Sequence, residues 1–380
     1  MQIIPIASGK GGVGKSLLAA NIAIALSQAG KQVVLADLDL GGSNLHLILG
    51  LRNITAGIGT FLGRPGARFE DIVVPTDYSG LRFVPGDAEI PGIANITLAQ
   101  KRSIIRKITS LDADYLILDL GAGTNFNILD FFLIAAHGIV VTTPTPTATV
   151  NAYLFLKNAM FRIMSNTFKR DSAAARYVSD LRKDATNLQR VYIMQLIEQV
   201  RRIDPVSHDA FQTAVARFRP RLVLNMMEDP KDADKASRLR RSCEQYLGLP
   251  VEHLGIVYRD DLQDVALQSR LPIIAYKPNS VLAQAVYRIA DKLLQLGIDE
   301  DDTVGVLDVE ESYETAELEA EIDFAAKMDY VEDLLHTGAL TQGDLVETVK
   351  TQQLEINQLR RENQLLKSKV LKAASQGFHL

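Results

Sequence analysis

A glycine-rich stretch near the beginning of the chain has the residue types and spacing that phosphate binding requires. It reads Gly9, Lys10, Gly11, Gly12, Val13, Gly14, Lys15 and Ser16. In the frame G-x-x-x-x-G-K-S, backbone N–H groups close around the β-phosphate, and the lysine, here Lys15, reaches the β- and γ-phosphates. The Ser16 hydroxyl is suited to Mg²⁺. We therefore expect a P-loop in which the residues from Gly11 to Leu17 contact a nucleotide.

Carboxylates end two further apolar runs of the sequence. Asp37 and Asp39 follow one run, and Asp119 ends another and leads into Gly121 and Gly123. Acids at the carboxyl ends of parallel strands would lie beside the P-loop, where phosphoryl transfer needs a metal and an oriented water. The alternative is that each acid only caps the helix that follows it.

The elements that must position these residues alternate between strands and helices. Strands are predicted at 2–7, 32–37, 81–84, 115–119, 138–142, 221–225 and 254–257. Helical patterns separate them up to about residue 297, which favours an α/β fold with a doubly wound, mostly parallel sheet and helices on both faces. Ligand sites in such sheets form at the carboxyl ends of the strands, where all three motifs lie.

The second lysine of the loop makes the motif more specific. With Lys10 the loop resembles the deviant Walker A sequence K-G-G-x-G-K-S of the family that contains MinD, ParA, FlhG, Mrp and the nitrogenase iron protein. The resemblance covers about 2–157 and 219–297 and implies an ATPase that uses ATP and Mg²⁺. It also implies that Lys10 crosses a dimer interface to the partner's nucleotide, so that ATP is sandwiched in a homodimer. The alternative for Lys10 is a solvated loop lysine.

The same resemblance assigns roles within the site. It implies three catalytic residues, Lys10, Lys15 and Asp39, and three residues around Mg²⁺, namely Ser16, Asp37 and Asp119. Asp39 would position the attacking water. Asn225, near the end of the strand that begins at Arg221, is the candidate for an adenine contact. Tyr258 stands where the family usually has proline, so we assign no contact to it.

Two loops place the chain within this family. The loop 39–46, D-L-G-G-S-N-L-H, is closer to MinD and FlhG than to ParA, which usually has Pro-Gln after the second acid. The tract 143–147, T-P-T-P-T, is similar to the MinD/FlhG pattern T-P-E-P-T, with Thr145 in place of glutamate. The resemblance therefore points to the MinD/FlhG branch.

The composition is that of a cytoplasmic globular protein. The chain of 380 residues is 47% hydrophobic, carries a net charge of −5 and has a single cysteine, Cys243. One cysteine excludes an internal disulfide and the branches of the family that bind Fe–S clusters. No signal peptide precedes the first predicted strand. The most apolar window, 128–141, is too short to span a bilayer and is interpreted as a buried helix running into a strand.

Residues 158–218 form an insert between two segments that a single short helix links in MinD and FlhG. Its pattern is helical over 154–168 and 186–203. Thirteen Lys/Arg face six acids over 157–221, which leaves a charge of +7. The insert could bind DNA phosphates, anionic lipid or the protein's own acidic segment, or it could be a solvated helical hairpin that buttresses the fold.

The composition changes abruptly after the predicted ATPase domain. Residues 299–333 contain fifteen acids and one lysine, a charge of −14, and we expect this stretch to begin as a disordered linker. Its charge complements that of the basic insert. We therefore formulate the hypothesis of an autoinhibitory clasp between the two.

A heptad pattern marks the last part of the sequence. Leu345, Gln352, Leu359 and Leu366 occupy position d, and Val349, Ile356, Asn363 and Val370 occupy position a. β-Branched residues at a with leucine at d favour a parallel two-stranded coiled coil, and one asparagine at a fixes its register. Such a coil would tether two ATPase domains. The alternative is a single amphipathic helix that packs on the body.

The sequence thus predicts three regions, an ATPase domain (1–297), an acidic linker (298–333) and a helical coiled coil (334–375). We expect a nucleotide-switched homodimer of the MinD/FlhG type that controls the placement or number of a cellular assembly, with a protein client or activator. A ParA-like, DNA-associated partitioning ATPase and a weakly hydrolysing, ATP-sensing scaffold remain alternatives. The expected location is cytoplasmic, and peripheral binding to a membrane or nucleoid is left open.

Overall fold

An eight-stranded sheet lies at the centre of the part of the chain that the computed structural model describes. That part comprises residues 1–40, 42, 44–52, 54–64, 66–86, 96–183, 192–296 and 309–337, and scattered positions between 341 and 366. The strands are β1 (Gln2–Ser8), β2 (Val33–Leu38), β3 (Val74–Pro75), β4 (Leu81–Val84), β5 (Tyr115–Ala122), β6 (Ile139–Thr142), β7 (Arg221–Met227) and β8 (Glu252–Tyr258). Their order is β3-β4-β2-β5-β1-β6-β7-β8, and every neighbouring pair is parallel except β3 with β4.

Helices cover both faces of this sheet. They are α1 (Lys15–Gln28), α2 (Leu45–Ile48), α3 (Ile58–Gly63), α4 (Leu98–Thr109), α5 (Phe126–Phe132), α6 (Pro146–Thr167), α7 (Ala173–Lys183), α8 (Ile193–Ile203), α9 (Pro205–Ala216), α10 (Asp234–Leu247), α11 (Leu262–Gln268), α12 (Ile273–Tyr276), α13 (Val281–Leu296) and α14 (Val309–His336). One apolar core lies between the sheet and α1 and α13, and the other lies under α4, α5, α6 and α10. The central strands are buried on both faces, which explains their unbroken apolar sequences.

The predicted α/β fold and all seven predicted strands are confirmed. The strand that the sequence did not reveal is β3, which has only two residues, one of them Pro75. Proline cannot donate a ladder hydrogen bond, so a short antiparallel strand at the sheet edge carries no recognisable strand pattern. The apolar window 128–141 divides into α5 and β6, as expected. Among the helices that the structure describes, none combines the length and apolarity that crossing a bilayer requires.

The basic insert is helical and contributes to the core. It extends α6 and adds α7, α8 and α9, whose buried side chains include Val178, Leu196 and Phe211. Residues 184–191, where part of the second predicted helix falls, lie outside the described residues. The packing agrees with the buttress interpretation of the insert.

The surface charge of the insert region is smaller than its sequence suggests. Lys157 and Arg221 are buried, and Arg221 pairs with Glu252 at 2.9 Å. Arg162 pairs with Asp130 at 2.5 Å. These cations are therefore unavailable to a polyanion, which weakens the electrostatic argument for DNA binding.

The acidic segment differs from the expected disordered linker. Residues 309–336 form the helix α14, whose Tyr313, Ala316 and Ala320 are buried. Two of its carboxylates pair with α13 and not with the basic insert, because Glu319 meets Lys292 at 2.8 Å and Asp323 binds Arg288. For these two acids, the expected clasp has a different cationic partner. Residues 297–308 lie outside the described part of the chain.

Residues 325–380 form a separate compact unit that contains the predicted coiled-coil seam. Four seam residues, Val349, Ile356, Leu359 and Leu366, are helical and have exposed side chains. The other four, Leu345, Gln352, Asn363 and Val370, lie outside the described residues. The coiled coil therefore stays a prediction.

The buried imidazole of His253 makes the stability of the fold dependent on pH. Neither of its ring nitrogens has a hydrogen-bond partner among the described residues, and burial lowers its pKa from 6.5 to about 3. Because the unfolded chain binds the proton first, the free energy of unfolding falls as the pH drops from 6.5 towards 3, by about 2 kcal/mol at pH 5. We expect His253→Leu to remove this loss, so that its urea midpoint changes less than that of the wild type between pH 7.5 and 5.

The same substitution at His336, which is exposed on the last turn of α14, serves as the control. If His253→Leu and the wild type lose equal stability over this pH interval, the buried neutral imidazole is not the cause.

Candidate functional site

The carboxyl ends of β1, β2 and β5 bring the three sequence motifs together. Asp37 on β2 and Asp119 on β5 are register partners, and Ile6 on β1 faces Asp119 from the other side. The P-loop leaves β1 directly after Ser8. The parallel register therefore places both carboxylates next to the phosphate-binding loop.

Glycines shape the P-loop where side chains could not fit. Gly14, directly before α1, has a φ of 81°, and a Cβ there would lie 2.2 Å from the Asn225 amide nitrogen. Gly9 also has no space for a side chain, because a Cβ there would lie 2.0 Å from the Asn151 carbonyl oxygen. The loop is thus held between β1, α6 and β7, and its amides precede α1, whose amino end favours an anion.

A buried ion pair joins the P-loop to β5. The Lys15 ammonium lies 2.5 Å from Asp119 Oδ1, and the two side chains are 7% and 1% exposed. Burial raises the pKa of Asp119, whereas Lys15 and a hydrogen bond from Ser16 act in the opposite direction. Lys15, Ser16 and Asp119, assigned separately in the sequence, form one cluster.

Asp39 lies at the edge of this cluster. A Cβ at Gly121 would lie 3.1 Å from Asp39 Oδ1, and the Asp39 charge is among the factors that raise the pKa of Asp119. Asp39 is half-buried, whereas Asp119 is enclosed. Asp39 can therefore meet a solvent molecule at the mouth of the site.

Asp37 has a structural role beside the predicted metal role. Its two carboxylate oxygens accept hydrogen bonds from the backbone N–H groups of Asp39 and Leu45, at 3.1 and 3.3 Å. These bonds fix both ends of the loop 39–45. Asp37 thereby fixes the backbone from which the Asp39 side chain extends.

Lys10 extends to the rim of the site. Its ammonium is exposed and donates to the Thr147 hydroxyl at 3.3 Å, and its carbonyl accepts from the Ser8 hydroxyl. Among the described residues, no carboxylate lies within ion-pair distance of Lys10. Its charge is therefore available at the surface.

Asn225 supports the P-loop from β7. Its amide nitrogen donates to the Val13 carbonyl at 2.8 Å, and the side chain is buried. This hydrogen bond explains why a polar side chain is buried near the end of β7. The predicted adenine contact of Asn225 stays a prediction.

An open cleft of about 440 Å³ runs from the P-loop to the ends of β7 and β8. Lys10 to Val13 of the P-loop form one part of its lining, and Met226, Glu228 and Arg259, at the ends of β7 and β8, form another part. Met226 has a φ of 57°, which is uncommon for a side chain of its size. Arg259 and Glu228 lie 3.5 Å apart.

Sequence reasoning did not identify Met226, Glu228 and Arg259 as lining residues of the cleft. Met226 lies near the end of β7, and Arg259 directly follows β8. Their positions at the carboxyl ends of two strands could have indicated this part of the lining. Tyr258 itself points away from the cleft, because its hydroxyl donates to the Ala320 carbonyl of α14.

The residues present fit Mg²⁺ in combination with phosphate. The Ser16 hydroxyl and the Asp37 and Asp119 carboxylates, which the sequence predicts around the metal, are hard oxygen ligands of the kind that Mg²⁺ prefers. In the described part of the chain, no three His, Cys, Asp or Glu residues are arranged to hold a metal by themselves. This agrees with an ion that is bound through few protein oxygens, waters and substrate phosphates.

Comparisons with known proteins agree with this geometry. The ParA family model, described as a NUBPL iron-transfer P-loop NTPase, matches residues 1–165. The antiactivator FleN of Pseudomonas aeruginosa is 29% identical over 175 residues, which cover 44% of this chain and 61% of FleN. The flagellum site-determining protein YlxH of Helicobacter pylori is 32% identical over 158 residues, or 41% of this chain and 53% of YlxH.

The chain thus spans little more than half the length of these relatives. Among solved structures, the septum site-determining protein MinD of Pyrococcus horikoshii, complexed with Mg-ADP, matches with a TM-score of 0.52 and 19% identity. The match covers 80% of this chain and 98% of that protein, and it establishes a shared fold. Residues 1–165 therefore match a ParA-family P-loop NTPase domain, and the chain shares the fold of MinD.

Proposed function

We propose that the protein is a Mg²⁺-dependent ATPase that works as a nucleotide-switched homodimer of the MinD/FlhG type. The observation that carries this proposal is the buried Lys15–Asp119 pair, with Ser16 and Asp39 beside it, at the end of a glycine-shaped P-loop. These are the charges that phosphoryl transfer requires, since its catalysis consists mainly of positioning and charge compensation.

Binding of ATP begins with an exchange of partners at Lys15. In the free protein its ammonium neutralises Asp119. The triphosphate offers stronger acceptors, so the ammonium transfers to the β- and γ-phosphate oxygens while P-loop N–H groups close around them. Ser16, Asp37 and Asp119 would hold Mg²⁺, which would supply further charge compensation. Because Asp119 lies on β5, this change of partner of Lys15 couples nucleotide binding to β5 and to the two glycines after Asp119, Gly121 and Gly123.

Hydrolysis requires a water molecule aligned with the γ-phosphate. Asp39 is half-buried beside Gly121, and Asp37 holds its loop through two backbone hydrogen bonds. The Asp39 carboxylate can accept a hydrogen bond from the water and orient it for attack. The absence of a side chain at Gly121 keeps room for that water.

Lys10 supports the assignment of a dimer. Its ammonium stands exposed at the rim of the cleft, and only the Thr147 hydroxyl contacts it within the described chain. A partner's Lys10 would add a positive charge to a site that Lys15 alone compensates incompletely. Hydrolysis would then be slow in the monomer and faster in the dimer, as suits a molecular timer.

The cellular role follows from the relatives. FleN is named an antiactivator, YlxH a flagellum site-determining protein and MinD a septum site-determining protein. We propose that this chain likewise controls the placement or number of a cellular assembly, either a division site or flagella. A ParA-like partitioning role is disfavoured because three cations of the insert region, Lys157, Arg162 and Arg221, are buried or paired. A scaffold role is disfavoured by the presence of Lys10, Lys15 and Asp39, the three predicted catalytic residues.

Replacing Asp39 tests the proposed hydrolysis. We expect Asp39→Asn to lower phosphate release from ATP by about 10²-fold or more, because a neutral amide orients the water poorly. Binding of ATP should remain within about twofold, since among the described residues no hydrogen bond or ion pair joins the Asp39 side chain to the P-loop. Asp71→Asn, at an exposed acid of the 3₁₀ helix Phe69–Ile72, is the matched control. Unchanged phosphate release in Asp39→Asn would remove that residue from the mechanism.

The Lys15–Asp119 pair gives a second prediction. Lys15→Met leaves Asp119 buried and unpaired, which should lower the free energy of unfolding by about 3–5 kcal/mol and abolish ATP binding. In the double variant Lys15→Met/Asp119→Asn, we expect most of the stability to return while ATP binding stays absent. Urea unfolding and calorimetric titration with ATP measure the two properties. ATP binding by either variant would contradict the role of Lys15.

A further inference from the structure

Tyr258, the last residue of β8, is fully buried at the edge of the sheet. Its hydroxyl donates to the Ala320 carbonyl of α14 at 2.9 Å, and its ring lies 6.3 Å from that of Phe324. A tyrosine that is buried along its whole length needs a partner for its hydroxyl, and α14 provides it. The end of β8 is therefore fixed by a helix that lies 62 residues further along the chain.

Further contacts hold α14 along β8. The Ser312 hydroxyl accepts a hydrogen bond from the backbone N–H of His253 at 3.1 Å, which satisfies a donor of the edge strand. Glu319 pairs with Lys292 at 2.8 Å, and Asp323 binds Arg288, both on α13. These bonds are spread over three turns of the helix. The helix thus covers the edge that a sheet of this kind would otherwise leave open.

The residue after Tyr258 belongs to the cleft. The backbone N–H of Arg259 donates to the Met227 carbonyl at 2.9 Å, and its guanidinium lies 3.5 Å from Glu228. Arg259, Glu228 and Met226 line the cleft at the ends of β7 and β8, whereas Lys10 to Val13 line it at the P-loop. With the phosphates on the P-loop, the nucleoside would lie in the part of the cleft at the ends of β7 and β8. We refer to these three residues as the far wall.

We infer that Tyr258 is a positioning residue that ties the far wall of the nucleotide cleft to the acidic helix α14. This inference rests on the proposed nucleotide binding and adds a determinant for the nucleoside half of the ligand. The P-loop has its own support from Asn225, so the phosphate half does not depend on α14. Docking of α14 therefore sets the affinity for the nucleoside and leaves the affinity for the phosphates unchanged.

The test compares two ligands on the full chain, ATP and inorganic tripolyphosphate, each with Mg²⁺. We expect Tyr258→Phe to weaken ATP binding about three- to tenfold, the size of one lost hydrogen bond, and to change tripolyphosphate binding less than twofold. Asp323→Asn, which loosens α14 without altering β8, should shift the ratio of the two affinities in the same direction. The Asp323→Asn variant therefore tests the inference even if Tyr258→Phe does not fold.

Tyr287→Phe is the matched control, because it removes a tyrosine hydrogen bond of the same length, 2.9 Å to Gln28, away from α14 and the cleft. The inference is overturned if Tyr258→Phe and Asp323→Asn bind ATP as tightly as Tyr287→Phe does. It is also overturned if both ligands weaken equally, since that would show a general structural effect. Failure of the wild type to bind either ligand would instead overturn the proposed function.

Discussion

The site depends on one buried negative charge, the carboxylate of Asp119. An enclosed carboxylate is costly unless it is paired, and here Lys15 and Ser16 supply the compensation. That compensation requires β5 to lie beside β1, because only then does the P-loop return to the end of β5. The same pair gives nucleotide binding a structural consequence, since a phosphate that attracts Lys15 releases Asp119. Positive φ at Gly14, the buried Asn225 and the hydrogen bonds of Asp37 all serve to hold groups around this charge.

The edge strand β8 poses a second constraint. An uncovered edge exposes unpaired backbone groups and invites association with other strands. The chain solves this with α14, whose acids meet cations of α13. The acidic composition of this segment is therefore explained in part by local ion pairs. Residues 309–324 also belong to the same compact unit as the sheet, a unit that ends at Phe324.

Much of this arrangement could be predicted from the sequence, for identifiable reasons. The P-loop and the acids at 37, 39 and 119 follow apolar strands, so local patterns locate both the sheet and the site. The sequence did not reveal that Asp37 binds backbone amides, that α14 is ordered, or that Arg259 lines the cleft. The bonds of Asp37 depend on the path of the loop that follows it, whereas α14 and Arg259 depend on contacts between residues far apart in the chain. The helix α14 is the clearest example, because its first turns are rich in acids and its hydrogen bonds and ion pairs are made with β8 and α13.

The central claim, a dimer closed by ATP across Lys10, is tested most directly by sedimentation with ADP and with ATP. The full chain and a chain ending at His336 should both be measured, since the shorter one keeps α14 and lacks the heptad segment. The account predicts that the shorter chain is monomeric with ADP and dimeric with ATP, and that Lys10→Ala abolishes the dimer whereas Lys277→Ala, at an exposed lysine, does not. A shorter chain that stays monomeric with ATP, or a Lys10→Ala variant that dimerises like the wild type, would contradict it.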